Sequence, residues 1–190
     1  MTDAAALARM IRQLPHQGRP PIVAIDGMAA SGKTTLCAAL TKEIPGAHVV
    51  HMDDFFLPPE RRHEREETLA NADVARFYRE VLSPLVKGKE AVYRPYRCHP
   101  DPGFLAPISI SPSCPAVIVE GAYCLHPMLF DAYDLRVLSL ISPDAQRARI
   151  LRRNGEDMLS RFLEEWIPLE NRHILIHRLK ETCDLILTTP

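Results

Sequence analysis

Ile22-Val23-Ala24-Ile25-Asp26-Gly27-Met28-Ala29-Ala30-Ser31-Gly32-Lys33-Thr34-Thr35-Leu36 joins a short apolar run to a glycine loop and then to a helix-forming stretch. Within it, Gly27 to Thr34 satisfy the spacing GxxxxGK[ST] at every fixed position. At average residue frequencies, a chance match in a chain of this size has odds under about one in a hundred. The order strand, loop, helix is the one that phosphate binding needs. Phosphate oxygens require several backbone N–H groups converging on one point. Glycines let the main chain curl without a Cβ in the way. The helix that follows adds free N–H groups and the positive end of its dipole. Lys33 has the reach to meet β- and γ-phosphates, and the Thr34 hydroxyl suits Mg²⁺.

Working outward, apolar runs at 22–25, 47–51, 116–119, 135–141 and 185–187 read as strands. Segments 4–14, 34–44, 73–86, 144–153, 157–166 and 169–181 read as helices. Alternation of this kind predicts an α/β fold with a mostly parallel sheet covered on both faces. Eight of the 17 prolines fall between Pro84 and Pro127, so rigid, irregular backbone is expected there. No repeat or linker marks a boundary, and 190 residues suit one domain over 1–190.

Composition narrows the function. With 46% apolar and 25% charged residues and a formal net charge of -1, the chain has no basic field for duplex nucleic acid. No apolar run is long enough for a membrane span, and the N-terminus lacks a signal-peptide pattern. Five unpatterned cysteines suit a reducing cytoplasm.

Three further stretches carry candidate chemistry. Met52-Asp53-Asp54-Phe55-Phe56 places carboxylates at a strand's C-terminal end, where sites of open α/β sheets lie. A carboxylate there can take the proton of an accepting hydroxyl; Asp53 is the stronger candidate and Asp54 the weaker. Val119-Glu120-Gly121 places an acid where a Mg²⁺ partner is expected. In Gln146-Arg147-Ala148-Arg149-Ile150-Leu151-Arg152-Arg153, helical spacing puts Arg149, Arg152 and Arg153 on one side, and guanidinium groups match phosphate geometry.

Taken with Tyr93-Arg94-Pro95-Tyr96, these motifs resemble the uridine kinase-like branch of the P-loop kinases, which also holds phosphoribulokinase and type-I pantothenate kinase. The likeness spans residues 22 to about 170. It implies a five-stranded parallel sheet, helices on both faces and a helical lid, here approximately 147–168. It implies ATP and Mg²⁺ as cofactors and a small hydroxyl-bearing molecule as partner, with self-association possible. Asp53 maps onto the base. Thr34, Glu120 and Asp53 map onto the metal site. Gly27, Ala29, Ala30, Ser31, Gly32, Lys33, Thr34 and Thr35 map onto the donor cradle, with Arg149, Arg152 and Arg153 as lid arginines.

Asn71-Ala72-Asp73 matches the segment whose Asp holds ribose hydroxyls, although Asp73 equally reads as a helix cap. Tyr93, Tyr96 and His99 fall where uridine kinases contact the base, but the Y-x-F-x-x-H pattern is not reproduced. Arg94 and Arg97 add charge that would suit an acceptor carrying a phosphate or carboxylate. A uridine- or cytidine-like nucleoside is the first expectation for the acceptor. The alternatives are a sugar phosphate or another small alcohol, or an ATPase switch with no acceptor, against which the absence of an NKxD guanine motif counts. His173 and His177 lack the companions of a zinc site and read as surface or packing residues; Trp166 reads as core. The mixed-sign run from Arg61 to Glu67 reads as a solvated face.

Overall fold

A computed structural model of the chain describes residues 4–58, 60–61, 70–98 and 100–189. Its centre is a five-stranded sheet of β1 (Ile22–Gly27), β2 (His48–His51), β7 (Val117–Glu120), β8 (Leu135–Ile141) and β9 (Leu185–Thr189). The strand order is β2-β7-β1-β8-β9, and every pairing is parallel. β1 and β7 are buried at every position. Strands covered on both faces read as unbroken apolar runs, which is why their sequences lack alternation.

Side chains of β1 alternate between two cores. Val23 and Ile25 pack with Leu7, Ile11 and Leu40 of α1 (Ala4–Gln13) and α2 (Lys33–Glu43). Ile22 and Ala24 pack on the other face with Phe55, Phe77 and Leu82. Phe77 and Leu82 belong to the continuous helix 74–86, α3, whose middle turn Tyr78–Leu82 is π-wound.

The proline-rich stretch is more regular than its composition suggests. β3 (Ala91–Tyr93) pairs antiparallel with β6 (Ile108–Ile110), and β4 (Tyr96–Arg97) with β5 (Gly103–Phe104). Ladders of two or three residues are too short to leave a period in the sequence. On the far side, α4 (Pro143–Asn154) is capped by Ser142, which accepts from Ala145 N–H. α5 (Glu156–Arg161) runs through a π turn, Phe162–Trp166, into α6 (Ile167–Ile176), and α7 (Leu179–Thr182) leads to β9. The helix expected over 169–181 is therefore broken at His177 and Arg178, where Arg178 takes a left-handed conformation (φ 53°). No helix among the described residues is long and apolar enough to cross a membrane.

Parallel strands in this order bring the C-terminal ends of β1, β2 and β7 side by side. Register places His51 opposite Glu120, and Glu120 opposite Ile25. The phosphate loop, the Asp53 turn and Glu120 therefore meet at one edge.

Candidate active site

The loop after β1 is folded so that its carbonyls point outward. Gly27 O and Met28 O accept from Lys33 Nζ at 2.8 and 2.9 Å. Ala29 O accepts from Gln146 Nε2 at 3.0 Å, and Ala30 O from Arg149 Nη1 at 3.2 Å. Ser31 O accepts from Thr189 Oγ1 at 2.9 Å and Ser139 Oγ at 3.4 Å. With five successive carbonyls held by other groups, the concave side is left to N–H donors and to the N-terminus of α2, an arrangement that attracts anions. Left-handed backbone at Ala30 (φ 60°) and Gly32 (φ 95°) makes the curl.

Beneath the loop, Asp26 is buried and accepts from Gly27 N–H at 2.6 Å and Leu125 N–H at 2.8 Å. It also bonds His173 Nε2 at 3.2 Å. Burial opposes its charge, but the His173 hydrogen bond and charge outweigh that cost and hold the carboxyl below its ordinary range. His173 is thus neither a metal ligand nor a surface residue; it is a buried support of the loop.

Facing the loop is a cavity of about 1280 Å³. Loop residues Ala29, Ala30, Gly32, Lys33, Thr34 and Thr35 line it, together with Asp53, Glu120, Arg149, Arg152 and Arg153. Gly27 and Ser31 stand behind this surface. The volume exceeds the ~300–1,000 Å³ of a typical single-ligand pocket, so two ligands can share it.

Asp53 sits in the 3₁₀ turn Met52–Phe55 and is exposed into this cavity. The surrounding walls push its carboxyl up from the ordinary range, and the charge of Glu120 adds to this; Lys33 and His51 oppose it. Asp54 points elsewhere: its carboxylate accepts from Tyr93 OH at 3.4 Å and its carbonyl from Arg76 Nη2 at 2.8 Å. The buried Arg76 guanidinium, 4.2 Å over the Phe55 ring, pins this turn from behind. Only one of the two aspartates therefore faces the loop.

Glu120 accepts from Thr34 Oγ1 at 3.2 Å and shares 2.6 Å with His51 Nδ1. That hydrogen bond is the main cause of the raised His51 pKa. A hydroxyl and a carboxylate side by side, with Asp53 close by, fit Mg²⁺, which takes one or two carboxylates plus phosphate oxygens and water.

Glu170 was not foreseen from the sequence. It lies on α6, is buried, and accepts from Ala29 N–H at 2.8 Å. Burial pushes its carboxyl up to about 7; Asp26 and Asp53 add to the rise, while Lys33 and the Ala29 N–H oppose it. Between the ordinary value of 4.5 and about 7, the folded chain holds a proton that the unfolded chain has lost. This group therefore makes stability fall as pH rises through that window. Glu170→Gln does not titrate, so its stability relative to wild type should climb across the same window by up to ~3 kcal/mol. Urea denaturation at pH 5 and pH 8 reads this, and a constant difference would refute it.

The acceptor side differs from expectation. Asp73 caps α3, accepting from Arg76 N–H at 3.0 Å, and its other oxygen pairs with Arg61. Both oxygens are engaged and Asp73 does not line the cavity, whereas Asn71 does. Tyr93 is core, stacked on Phe55 at 5.2 Å, and Tyr96 packs on Phe104 at 5.3 Å. Arg94 bonds Leu105 O and Phe104 O, and Arg97 bonds Asp101 O, so neither charge is aimed at the cavity. His99 and the run from Arg62 to Glu67 lie outside the described residues. Conversely, Trp166 is half-buried and forms cavity wall rather than core, with Phe162 at 4.5 Å ring to ring. Tyr123 and Phe56 complete an aromatic lining that sequence spacing did not announce.

No family model matches the chain. Human nicotinamide riboside kinase 2 is 42% identical over 53 residues, which is 28% of this chain and 23% of that protein's length. A possible uridine kinase from Bacillus stearothermophilus superposes with a TM-score of 0.68 at 17% identity, covering 97% of this chain and 96% of that one. A putative fructose transport system kinase from a Silicibacter species gives 0.67 at 24% identity over 100% of both chains. The chain has the fold of the P-loop kinases, as its motifs imply.

Proposed function

We propose that this chain is an ATP-dependent kinase that transfers a γ-phosphoryl group to a hydroxyl of a small molecule, and that the acceptor is a nucleoside. One observation carries the reading: the phosphate loop, Asp53, Glu120 and three arginines of α4 line a single cavity with room for two ligands. A hydrolytic switch has no need of such space beside its base.

In this proposal the whole of 1–190 acts as one catalytic domain. The donor's phosphates rest on the loop N–H groups and Lys33. Thr34 and Glu120 would hold Mg²⁺, which would neutralise phosphate charge. Asp53 orients the acceptor hydroxyl and takes its proton. Arg149, Arg152 and Arg153 stabilise charge spreading over the transferred group. Closure of the helical segment over the cavity excludes water that would otherwise hydrolyse the donor.

The nucleoside reading rests on the aromatic lining of the cavity. Phe56, Phe162 and Trp166 are partly exposed rings in that lining, suited to packing against a planar base. Among the described residues, Arg94 and Arg97 are engaged in the hairpin, so neither is offered to an anionic sugar phosphate. Two of the relatives are named for uridine and for nicotinamide riboside, each a ring on a ribose. Trp166→Ala should raise the acceptor KM by about tenfold, the scale of a lost aromatic contact, with kcat and the KM for ATP little changed. Initial rates of ADP release over a panel of nucleosides, sugar phosphates and pantothenate-like alcohols test this. A sugar phosphate outperforming every nucleoside would overturn the nucleoside assignment while leaving the kinase.

A further inference from the structure

Ala29 is held at three points by the helical segments that flank the cavity. Its N–H donates to Glu170 on α6 at 2.8 Å, and its carbonyl accepts from Gln146 on α4 at 3.0 Å. Its methyl packs against Ile150 and Leu159, which with Phe162 and Ile167 form a small apolar cluster of their own. Gln146 and Glu170 are both buried, so pulling either bond apart strands a polar group away from water. The grips continue on each side. Arg149 bonds the Ala30 carbonyl, and His173 bonds Asp26, which holds the Gly27 N–H.

These bonds divide the region that the sequence marks as lid. The first half of α4 and α6 from Glu170 onward are fastened to the loop. The stretch between, about 151–166, makes none of the polar bonds named above and meets the loop through Leu159 and Phe162. The rest of it is mostly exposed, and it carries Arg152, Arg153, Phe162 and Trp166 to the cavity. It ends in the π turn Phe162–Trp166, a place where a helix can absorb a change of register.

We propose that Ala29, with the two peptides that meet there, is the joint through which nucleotide on the loop sets the position of the 151–166 segment, with Glu170 as the positioning residue that makes the joint. The inference rests on the kinase reading above, because it takes the loop to bind a triphosphate. Loop N–H groups that turn onto phosphate oxygens must tilt the peptides they belong to. The two peptides that meet at Ala29 are each tied: tilting Met28–Ala29 draws on Glu170, and tilting Ala29–Ala30 draws on Gln146. Trp166, one turn before Glu170, then moves relative to the cavity.

Trp166 is the only tryptophan in the chain, so its emission reports the segment directly. The test titrates the full-length protein with a non-hydrolysable ATP analogue and Mg²⁺. Binding is followed by calorimetry and Trp166 emission by fluorescence in parallel. Wild type should show a saturable emission change at the calorimetric affinity. Glu170→Leu should still bind nucleotide but lose most of that change. Glu170→Gln, whose amide oxygen can still accept the Ala29 N–H, should retain it. Should Glu170→Leu fail to fold, Gln146→Leu breaks the joint from its carbonyl side and should show the same loss. Leucine variants that bind nucleotide with an undiminished emission change would overturn the proposal, as would wild-type binding with no change at all; neither touches the kinase reading. Wild type that binds no nucleotide removes the kinase reading and this inference with it.

Discussion

Asp53→Asn is expected to lower turnover by about a hundredfold or more, the usual scale for removing a general base, while nucleotide binding persists. The asparagine keeps the shape of the side chain and its place in the Met52–Phe55 turn. What it loses is the ability to take a proton. Of the two aspartates in the turn, Asp53 alone lines the cavity, beside Lys33 and Glu120. Asp54 is committed to Tyr93 and, through its carbonyl, to Arg76. The same substitution at Asp54 should therefore act on the stability of the turn and spare the chemistry. The walls around Asp53 and the neighbouring Glu120 charge raise its pKa. Activity should thus rise with pH along an acid limb lying above the ordinary carboxylate range. That limb should vanish from the residual activity of the asparagine variant. Stopped assays of phosphorylated product between pH 4 and pH 8 measure both effects; near-normal turnover in the variant would remove Asp53 from the mechanism.

Gly27→Ala should be the most destabilising single-methyl change in the loop. A Cβ at this position would lie 1.9 Å from the Ser139 carbonyl oxygen and 2.7 Å from its carbon. Those atoms are main chain of β8, the neighbour of β1 in the middle of the sheet, so no side-chain rotation relieves the contact. The backbone itself stands at φ 140°, where an L-residue is strained. To admit the methyl, β1 and β8 must part, losing the pairing of Gly27 with Ser139. The hydrogen bond from Met28 N–H to Ser139 O would go with it. A loss on the order of 4 kcal/mol or more places this among the exceptional substitutions, and insoluble expression is an acceptable form of the result. A soluble variant with a wild-type thermal midpoint would mean that the close approach of β1 and β8 is not as described.

The donor half of the site is legible in the sequence because its geometry is local. Eight consecutive residues from Gly27 to Thr34 make the cradle. The strands around it are apolar runs because both faces of the sheet are covered. Asp53 and Glu120 are legible for a related reason, since each directly follows or ends such a run. Their partnership is not. Pairing of His51 with Glu120 follows from strand order β2-β7-β1, which no local pattern encodes. The same holds more strongly for Glu170, 141 positions from the Ala29 N–H that it accepts. In sequence it is one acid on a helix.

The acceptor half misleads for a different reason. Tyr93 and Tyr96 stand at the family's position for base contacts, but an aromatic ring serves equally as core, and here Phe55 and Phe104 claim them. Trp166 errs in the opposite sense. A tryptophan in a helix is most simply read as buried, yet this one ends the π turn and lines the cavity. Asp73 shows that one residue can satisfy a motif and a cap together, and its hydrogen bonds favour the cap.

The central claim is that the phosphoryl group leaves the loop for a small-molecule hydroxyl and not for water. The most direct measurement follows γ-labelled ATP with Mg²⁺ and the best acceptor from the panel, and partitions the label between phosphorylated acceptor and inorganic phosphate. The account predicts that nearly all label appears on the acceptor, that its transfer depends on acceptor concentration, and that Asp53→Asn suppresses it. Label appearing as inorganic phosphate at a rate indifferent to every acceptor would contradict it and would make the chain a nucleotide hydrolase.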